Sequence, residues 1–462
     1  MRFSPLYLPF FISACLYGSP TISYTIAWGG SFYILWLTLR GKLQRLPGDM
    51  PWYQQVLRPM FLAHLIFSIY MALSSIFYFM DINGYYYFEQ TFEIIDAERI
   101  NLAAEAQQYY LLGHAGMAHG LILFSQYENS KVPPPSSLRE DILVKGILIL
   151  SGGMIIFNAI PGLRQFGIKL SDLSFTGSIL LLSIGIQKKK LWIIVLSGGV
   201  FIGSLYNALL SGWKEAILLP FILLSSFLFP KYRRGIILLG GAFMVFFITL
   251  MPTFNESFRK LSWESGINAD AALNLSYEHA RTLDNNQMRL NTWIFLRDRF
   301  SEIGIFVRYL KKVPEERDFY NFTIIQQGML NLIPRAIYPD KPDTEKLVME
   351  RVYENEIISY HSQSVSAKPQ YIVDGYLSFG RIGIWIFGLA LGAASARISV
   401  LAEHLFGGYW YGTAFIYTGL FQVFWKGNCF EFMLNTVFWG LIIMLILFKI
   451  FNAFSLIPKS SG

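Results

Sequence analysis

Apolar runs of about 17–25 residues, each long enough to cross a lipid bilayer, recur along most of this chain. They constrain the fold more than any other feature. Backbone polar groups in hydrocarbon must bond within their own helix or a closed barrel, and continuous apolar runs of this length read as helices. Twelve are expected, near residues 5–18, 20–38, 57–80, 103–126, 143–161, 172–187, 191–209, 213–229, 234–253, 378–396, 410–426 and 432–454. Only 15% of the 462 residues are charged, against about 25% in soluble proteins. The expected fold class is an all-α polytopic membrane protein of about twelve transmembrane helices, with one large extracytoplasmic loop containing short helices. The N-terminal "MRFSPLYLPFFISACLYGSP" mimics a signal peptide, but Pro5, Pro9 and the apolar run that follows favour an uncleaved first span.

Orientation follows from lysine and arginine in short connections, which favour the cytoplasmic side. Arg40, Lys42, Arg45 and Arg58 flank one connection, Lys188 to Lys190 another, and Lys231, Arg233 and Arg234 a third. An even number of spans separates successive clusters, so all three fit inside, with both termini cytoplasmic. The net charge of +7 is then an orientation signal, and no nucleic-acid partner is expected. Three parts result: a membrane bundle over 1–253, an outer segment over 254–369 and a second bundle over 370–462. The outer segment is too long for a plain connector, which marks it as functional. It includes an amphipathic stretch, Leu290 to Leu310.

No GxxxxGK[ST], HExxH, paired CxxC, GxSxG or DxD pattern occurs, so ATP drive, zinc hydrolysis and serine-hydrolase chemistry lack their usual parts. No metal or other cofactor is expected. Cys15 and Cys429 sit at opposite ends of the chain and imply no disulfide framework. What remains is a set of cations at the outer face: Lys214 in "SGWKEA", Arg289 in "NQMRLNTW", and Arg335 and Lys341 in "LIPRAIYPDKP". Cations near hydrocarbon either meet an anion or snorkel to the headgroups. For Arg335 the three flanking prolines stiffen the backbone and favour the first. A guanidinium fork matches phosphate oxygens, and an ammonium acts as a point charge. His114 and His119, five residues apart, read as helix-packing contacts rather than ligands. Tyr85 to Tyr87 and Tyr409 to Tyr411 fit interfacial belts better than sugar-stacking platforms.

The order of "GWKEA", "MRLNTW", "LIPRAIYPDKP" and "VDGYLSFGRIGIWIFGLALG" resembles the Wzy-type oligosaccharide repeat-unit polymerases, also called O-antigen or exopolysaccharide polymerases. The resemblance covers about half the chain, near Phe201 to Ala394. It falls on Gly212 and Lys214, Arg289, Pro334 and Arg335, Lys341 and Pro342, and then Asp374, Tyr376, Phe379 and Gly380. Ser378 stands where Asn is usual, and Asp374 where Glu is commoner. The resemblance implies a GT-C-like glycosyltransferase in a bacterial cytoplasmic (inner) membrane, working on the periplasmic or exterior side. Its substrate would be an undecaprenyl-diphosphate-linked oligosaccharide, with a flippase and a chain-length regulator as further partners. Negative charge develops on the departing diphosphate, so fixed cations should stabilise the transition state. Lys214, Arg289, Arg335 and Lys341 are the expected diphosphate ligands. Asp374, His361 and Arg335 are the expected catalytic residues, with Asp374 or His361 as base. Other readings of the residues are a helix cap for Asp374 and an ordinary loop histidine for His361. An O-antigen ligase or a transporter of lipid-linked sugars are the alternative functions. The first asks for a prominent outer histidine, the second for charges in mid-span.

Overall fold

The apolar runs fold as helices in a computed structural model that describes residues 2–87, 89–90, 96–127, 138–160, 162–335, 337–359 and 367–457. For Asp49, Gln90, Lys214, Glu215 and Glu264 only the backbone is described. The helices are α1 Ser4–Cys15, α2 Pro20–Leu39, α3 Pro59–Ile82 and α4 Ala97–Phe124, then α5 Glu140–Ala159, α6 Arg164–Lys188, α7 Leu191–Ser211 and α8 Lys214–Thr249. The polar segment follows as α9 Met251–Arg259, α10 Ala269–Thr282, α11 Asn285–Ile294, α12 Ile303–Lys312, α13 Thr323–Asn331 and α14 Thr344–Glu354. Last come α15 Tyr371–Phe406, a broken stretch from Trp410 to Lys426, and α16 Phe430–Ala453. The only strand pairing among the described residues joins Tyr85–Tyr86 to Glu89–Gln90.

Seven of these helices are long and apolar enough to cross a membrane: α3, α5, α6, α7, the Ala216–Thr249 part of α8, α15 and α16. The chain is a helical membrane protein. The expected run 20–38 folds as the 20-residue α2 but is not among the seven, and the other three differ for identifiable reasons. α1 has only 12 residues. α4 carries Glu98, Arg99 and Glu105 in its first turns. The run near 410–426 breaks into Trp410–Tyr417, Thr418–Leu420 and Val423–Lys426.

Two long helical segments reverse direction. In α8, Pro230 precedes Tyr232, whose φ −115° and ψ 35° leave the helical region. The Phe221 ring stacks on Phe243 at 3.9 Å, although a straight helix would hold them about 33 Å apart. The runs 213–229 and 234–253 therefore lie side by side. In α15 the break falls at Phe379 and Gly380, the latter at φ +59° and ψ −142°, a conformation open to glycine. Gly375 and Gly383 then meet backbone to backbone, with no room for a Cβ on Gly383.

The longer arm of α15 runs parallel to α4. Tyr109 meets Arg381, Gly113 meets Gly388, Met117 meets Gly392 and Tyr127 meets Ser399 in register. Glycines line this seam, as they do where two spans approach closely. Basic connections gather at one end. Arg2 Nε donates to the Leu43 carbonyl at 2.8 Å, and Arg233 lies 4.6 Å over the Tyr53 ring. Lys231 donates to the Gln187 carbonyl, and Glu140 pairs with Lys188 and Lys190. Arg58, fully buried there, forms a two-pronged pair with Glu403. The polar segment covers the other end, through Trp293 to Asp81, Lys311 to Glu98 and the Leu332 carbonyl to Trp439. The expected amphipathic stretch 290–310 is interrupted by π-helical turns at Phe295–Phe300 and an extended Ser301.

Candidate functional site

The proline-rich stretch after α13 is held by Asn331. Its Nδ2 donates to the Glu431 carbonyl at 3.1 Å, and its carbonyl accepts from Asn435 Nδ2 at 2.7 Å. Its Oδ1 accepts from Thr344 at 2.7 Å. Lys341 turns inward to the same hub: Nζ donates to the Asn331 and Ile333 carbonyls at 3.1 and 2.8 Å. Burial, and then the Arg335 guanidinium, lower its pKa from the ordinary lysine value. Its ammonium thus closes the loop instead of facing outward. Arg335 is exposed, and among the described residues it makes only long contacts, to the Lys341 and Pro339 carbonyls at 3.2 and 3.5 Å. Of the two cations, Arg335 is the one open to an incoming anion.

Asp374 is fully buried. Its Oδ2 accepts from the Phe430 backbone N–H at 2.7 Å, capping α16 rather than its own helix. Its Oδ1 accepts from Arg351 Nη2 at 3.0 Å, and Arg351 also reaches both Glu431 oxygens at 2.8 and 3.3 Å. Burial opposes the charge on Arg351, but Asp374 and Glu431 outweigh it and raise its pKa. Two carboxylates and one guanidinium thus lock α14, the α15 reversal and α16 together. Tyr376 donates to the Val313 carbonyl at 2.7 Å, and Ser378 to the Asp374 carbonyl at 2.8 Å.

A cleft of about 280 Å³ opens where α3, α4 and α12 meet the polar segment. It is lined by Asp81, Asp96, Glu98 and Asp298 facing Arg99, Arg297, Arg308 and Lys311. Arg297 grips Asp298 at 2.7 Å and Asp81 at 3.2 Å. Those carboxylates, Asp298 foremost, raise its pKa. Beside the cleft Trp293 donates to Asp81 at 2.7 Å and packs against Tyr86 and Tyr87. Arg289 lies 4.7 Å over the Tyr87 ring at this aromatic edge. Tyr86 and Tyr87 thus pack behind the cleft, against the Trp293 that bonds Asp81.

The expected residues do not form one cluster. Arg335, Lys341 and Asp374 share the platform at the start of α16, whereas Arg289 stands apart, over the Tyr87 ring. Lys214 begins α8 without a described side chain, and His361 lies outside the described residues. Near Gly212 the described cation is Arg259, which donates to the Gly212 carbonyl at 3.0 Å and lies 4.7 Å over Trp263. Arg351, Glu431, Asn331 and Arg297 escaped sequence reasoning. Key partners lie far along the chain: Glu431 for Arg351 and Asn331, and Asp81 for Arg297. His114 bonds His64 at 2.9 Å, and His119 bonds Tyr7 at 2.8 Å, so both are packing contacts as expected. Among the described residues no three His, Cys, Asp or Glu side chains gather closely enough to hold a metal ion.

Comparison with known proteins returns a family described as a domain of unknown function, DUF8712, whose model matches residues 8–459. No curated protein and no solved structure matches.

Proposed function

The chain belongs to the DUF8712 family, and we propose that it polymerises oligosaccharide repeat units carried on a polyprenyl diphosphate, at the outer face of the cytoplasmic membrane. The supporting observation is the folding of the polar segment. It caps the end of the bundle opposite the basic connections and brings an open Arg335 and a charged, aromatic-edged cleft to that end. In this reading the chain crosses the bilayer twelve times. Both termini are cytoplasmic, because Arg2 and Leu456 lie with the basic connections. The reversal at Tyr232, which divides α8 into two runs, favours that count.

In the reaction, a sugar hydroxyl of one lipid-linked unit attacks the anomeric carbon of another. The C–O bond to the diphosphate breaks, and the charge on the departing group grows. Arg335 meets that charge, worth about 1.5–3 kcal/mol per charge-assisted contact. Lys341 positions Arg335 by fixing the loop. The acceptor glycan lies along the cleft, where Asp81, Glu98 and Arg99 bond its hydroxyls. Asp374 is held as a cap and ion-pair partner, so the acceptor proton goes to another base, His361 or a cleft carboxylate.

The test uses purified full-length protein in proteoliposomes with a synthetic polyprenyl-diphosphate oligosaccharide. Products spaced by one repeat unit, lost on Arg335→Ala, are expected. Transfer of the substrate across the membrane without elongation would overturn the reading in favour of transport.

A further inference from the structure

Two histidines meet inside the bundle, where α3 packs on α4. His64 and His114 are fully buried and share one hydrogen bond, 2.9 Å between His64 Nδ1 and His114 Nε2. Their other ring nitrogens, His64 Nε2 and His114 Nδ1, have no hydrogen-bond partner among the described residues. Two neutral imidazoles carry two protons between them. One proton lies in the shared bond, so the ring that accepts it keeps its own proton on its outer nitrogen. The donating ring then has a bare outer nitrogen. The pair therefore ends in one unpartnered N–H and one unpartnered lone pair, at opposite ends of a single hydrogen bond.

The same seam holds more atoms of this kind. Gln107 and Tyr110 stand on the α4 row of His114, and Ser68 lies one turn after His64 on α3. Both polar atoms of the Gln107 amide, the Tyr110 hydroxyl and the Ser68 hydroxyl are buried without a hydrogen-bond partner among the described residues. With the two imidazoles they make six such atoms along one seam. Folded proteins bury few, and satisfy them with internal water. From Ser68 to Leu73 the backbone of α3 is π-helical, a widening common at functional sites.

The row leads to a carboxylate. Phe306 meets Tyr110 at 5.3 Å and Lys311 pairs with Glu98, so α12 lies along the outer half of α4. Glu302, the residue before α12, is thereby placed at its deep end. Glu302 accepts from the Tyr70 hydroxyl at 2.6 Å and from Gln370 Nε2 at 2.8 Å, and lies within electrostatic reach of Tyr110. Gln370 Oε1, beside it, is a further buried atom without a hydrogen-bond partner among the described residues. Glu302 itself is half-buried. A partly open carboxylate thus stands at one end of the polar row and an imidazole pair at the other.

We propose that the α3–α4 seam is a proton relay, in which water held by Ser68, Gln107 and Tyr110 joins Glu302 to the His64–His114 pair. A proton leaving the Glu302 carboxyl passes along this water to the bare imidazole nitrogen. The shared proton crosses the 2.9 Å bond, and the N–H of the far ring releases its proton to the next water. One proton enters and one leaves, and the shared bond is reversed. Ionisable groups inside a membrane bundle serve as such relays. The relay stands apart from the polymerase reading and does not depend on it.

The test uses the full chain in phosphatidylcholine nanodiscs with nitrogen-15-labelled histidine, and reads magnetisation transfer from water to each imidazole by solid-state NMR. In the parent both His64 and His114 exchange with water. The double variant Gln107→Leu/Tyr110→Phe, which gives the water an apolar wall, slows both by about tenfold or more, and Glu302→Gln slows both as well. Gln107→Asn retains exchange, which separates polarity from packing. His119, bonded to Tyr7, keeps its parent rate throughout and reports an intact fold. If the double variant alters His119, Glu302→Gln alone decides the path. A parent without exchange at either ring overturns the relay. Exchange at one ring only overturns transfer between them, and parent rates in Glu302→Gln overturn the path from the carboxylate.

Discussion

Replacing Asp374 by Asn separates a structural carboxylate from a catalytic one. In the structure Asp374 makes two contacts, to Arg351 at 3.0 Å and to the Phe430 N–H at 2.7 Å. The amide oxygen of Asn keeps the cap to α16, while the charge-assisted bond to Arg351 is lost, costing about 1.5–3 kcal/mol. Part of that is returned, because Arg351 and Glu431 then form a one-to-one pair in place of two carboxylates sharing one guanidinium. Arg351→Met acts oppositely. It strands both carboxylates, fully buried, without a counter-charge, and breaking a buried pair in this way costs about 3–5 kcal/mol. Thermal unfolding in detergent should therefore order the proteins parent, then Asp374→Asn, then Arg351→Met. Elongation by Asp374→Asn should stay within tenfold of the parent. A general base converted to its amide would instead lose about 10²–10⁴-fold. A loss of that size with an unchanged melting temperature would refute the assignment, and so would Arg351→Met melting at or above Asp374→Asn.

Three further outcomes follow from the geometry. At Gly120 an added Cβ would collide with the Leu389 carbonyl, so Gly120→Ala should cost about 1–3 kcal/mol by overpacking, visible as earlier thermal unfolding. The Lys341 pKa is depressed in the fold, so the unfolded chain binds more protons than the folded one between that lowered value and the ordinary one of about 10.4. Protease resistance of the 331–342 loop should therefore rise with pH across that window, and Lys341→Met should flatten the dependence. Reporters placed at residues 44, 189 and 232 should all signal one side of the membrane, and reporters at 266 and 318 the other. A split among the first three would refute the twelve-crossing arrangement.

Much of the architecture was legible because its signal is local. Length and apolarity within one run suffice to mark a span, and the basic connections that the structure gathers at one end were visible as Arg58, Lys188 to Lys190 and Lys231 to Arg234. The break near residue 230 was legible through Lys231, Arg233 and Arg234, which divide one apolar region into two runs. The site was less legible. Lys341 and Arg335 stand six residues apart and both read as diphosphate ligands, yet one faces Asn331 and the other solvent. That difference depends on Asn331, whose own bonds reach Glu431 and Asn435 about a hundred positions away. Arg351 likewise gains meaning only through Asp374 and Glu431. Side chains whose partners are set by tertiary packing carry no periodicity to read.

These long-range bonds converge on the first three turns of α16. The Phe430 N–H is capped by Asp374, and the Glu431 carboxylate is held by Arg351. The Glu431 carbonyl accepts from Asn331, and Asn435 and Trp439 donate to the Asn331 and Leu332 carbonyls. The Thr436 carbonyl accepts from Lys169. One rigid helix end thus sets the position of the Arg335 loop, the α15 reversal and the Lys169 ammonium of α6 at once. A loop carrying exposed Ile337 and Tyr338 would gain little from its own contacts. Anchored on a buried helix start, it can hold a guanidinium at the membrane surface with only one flexible side chain left to order. That division, buried bonds for position and an exposed cation for charge, is what the proposed site for a departing diphosphate would require.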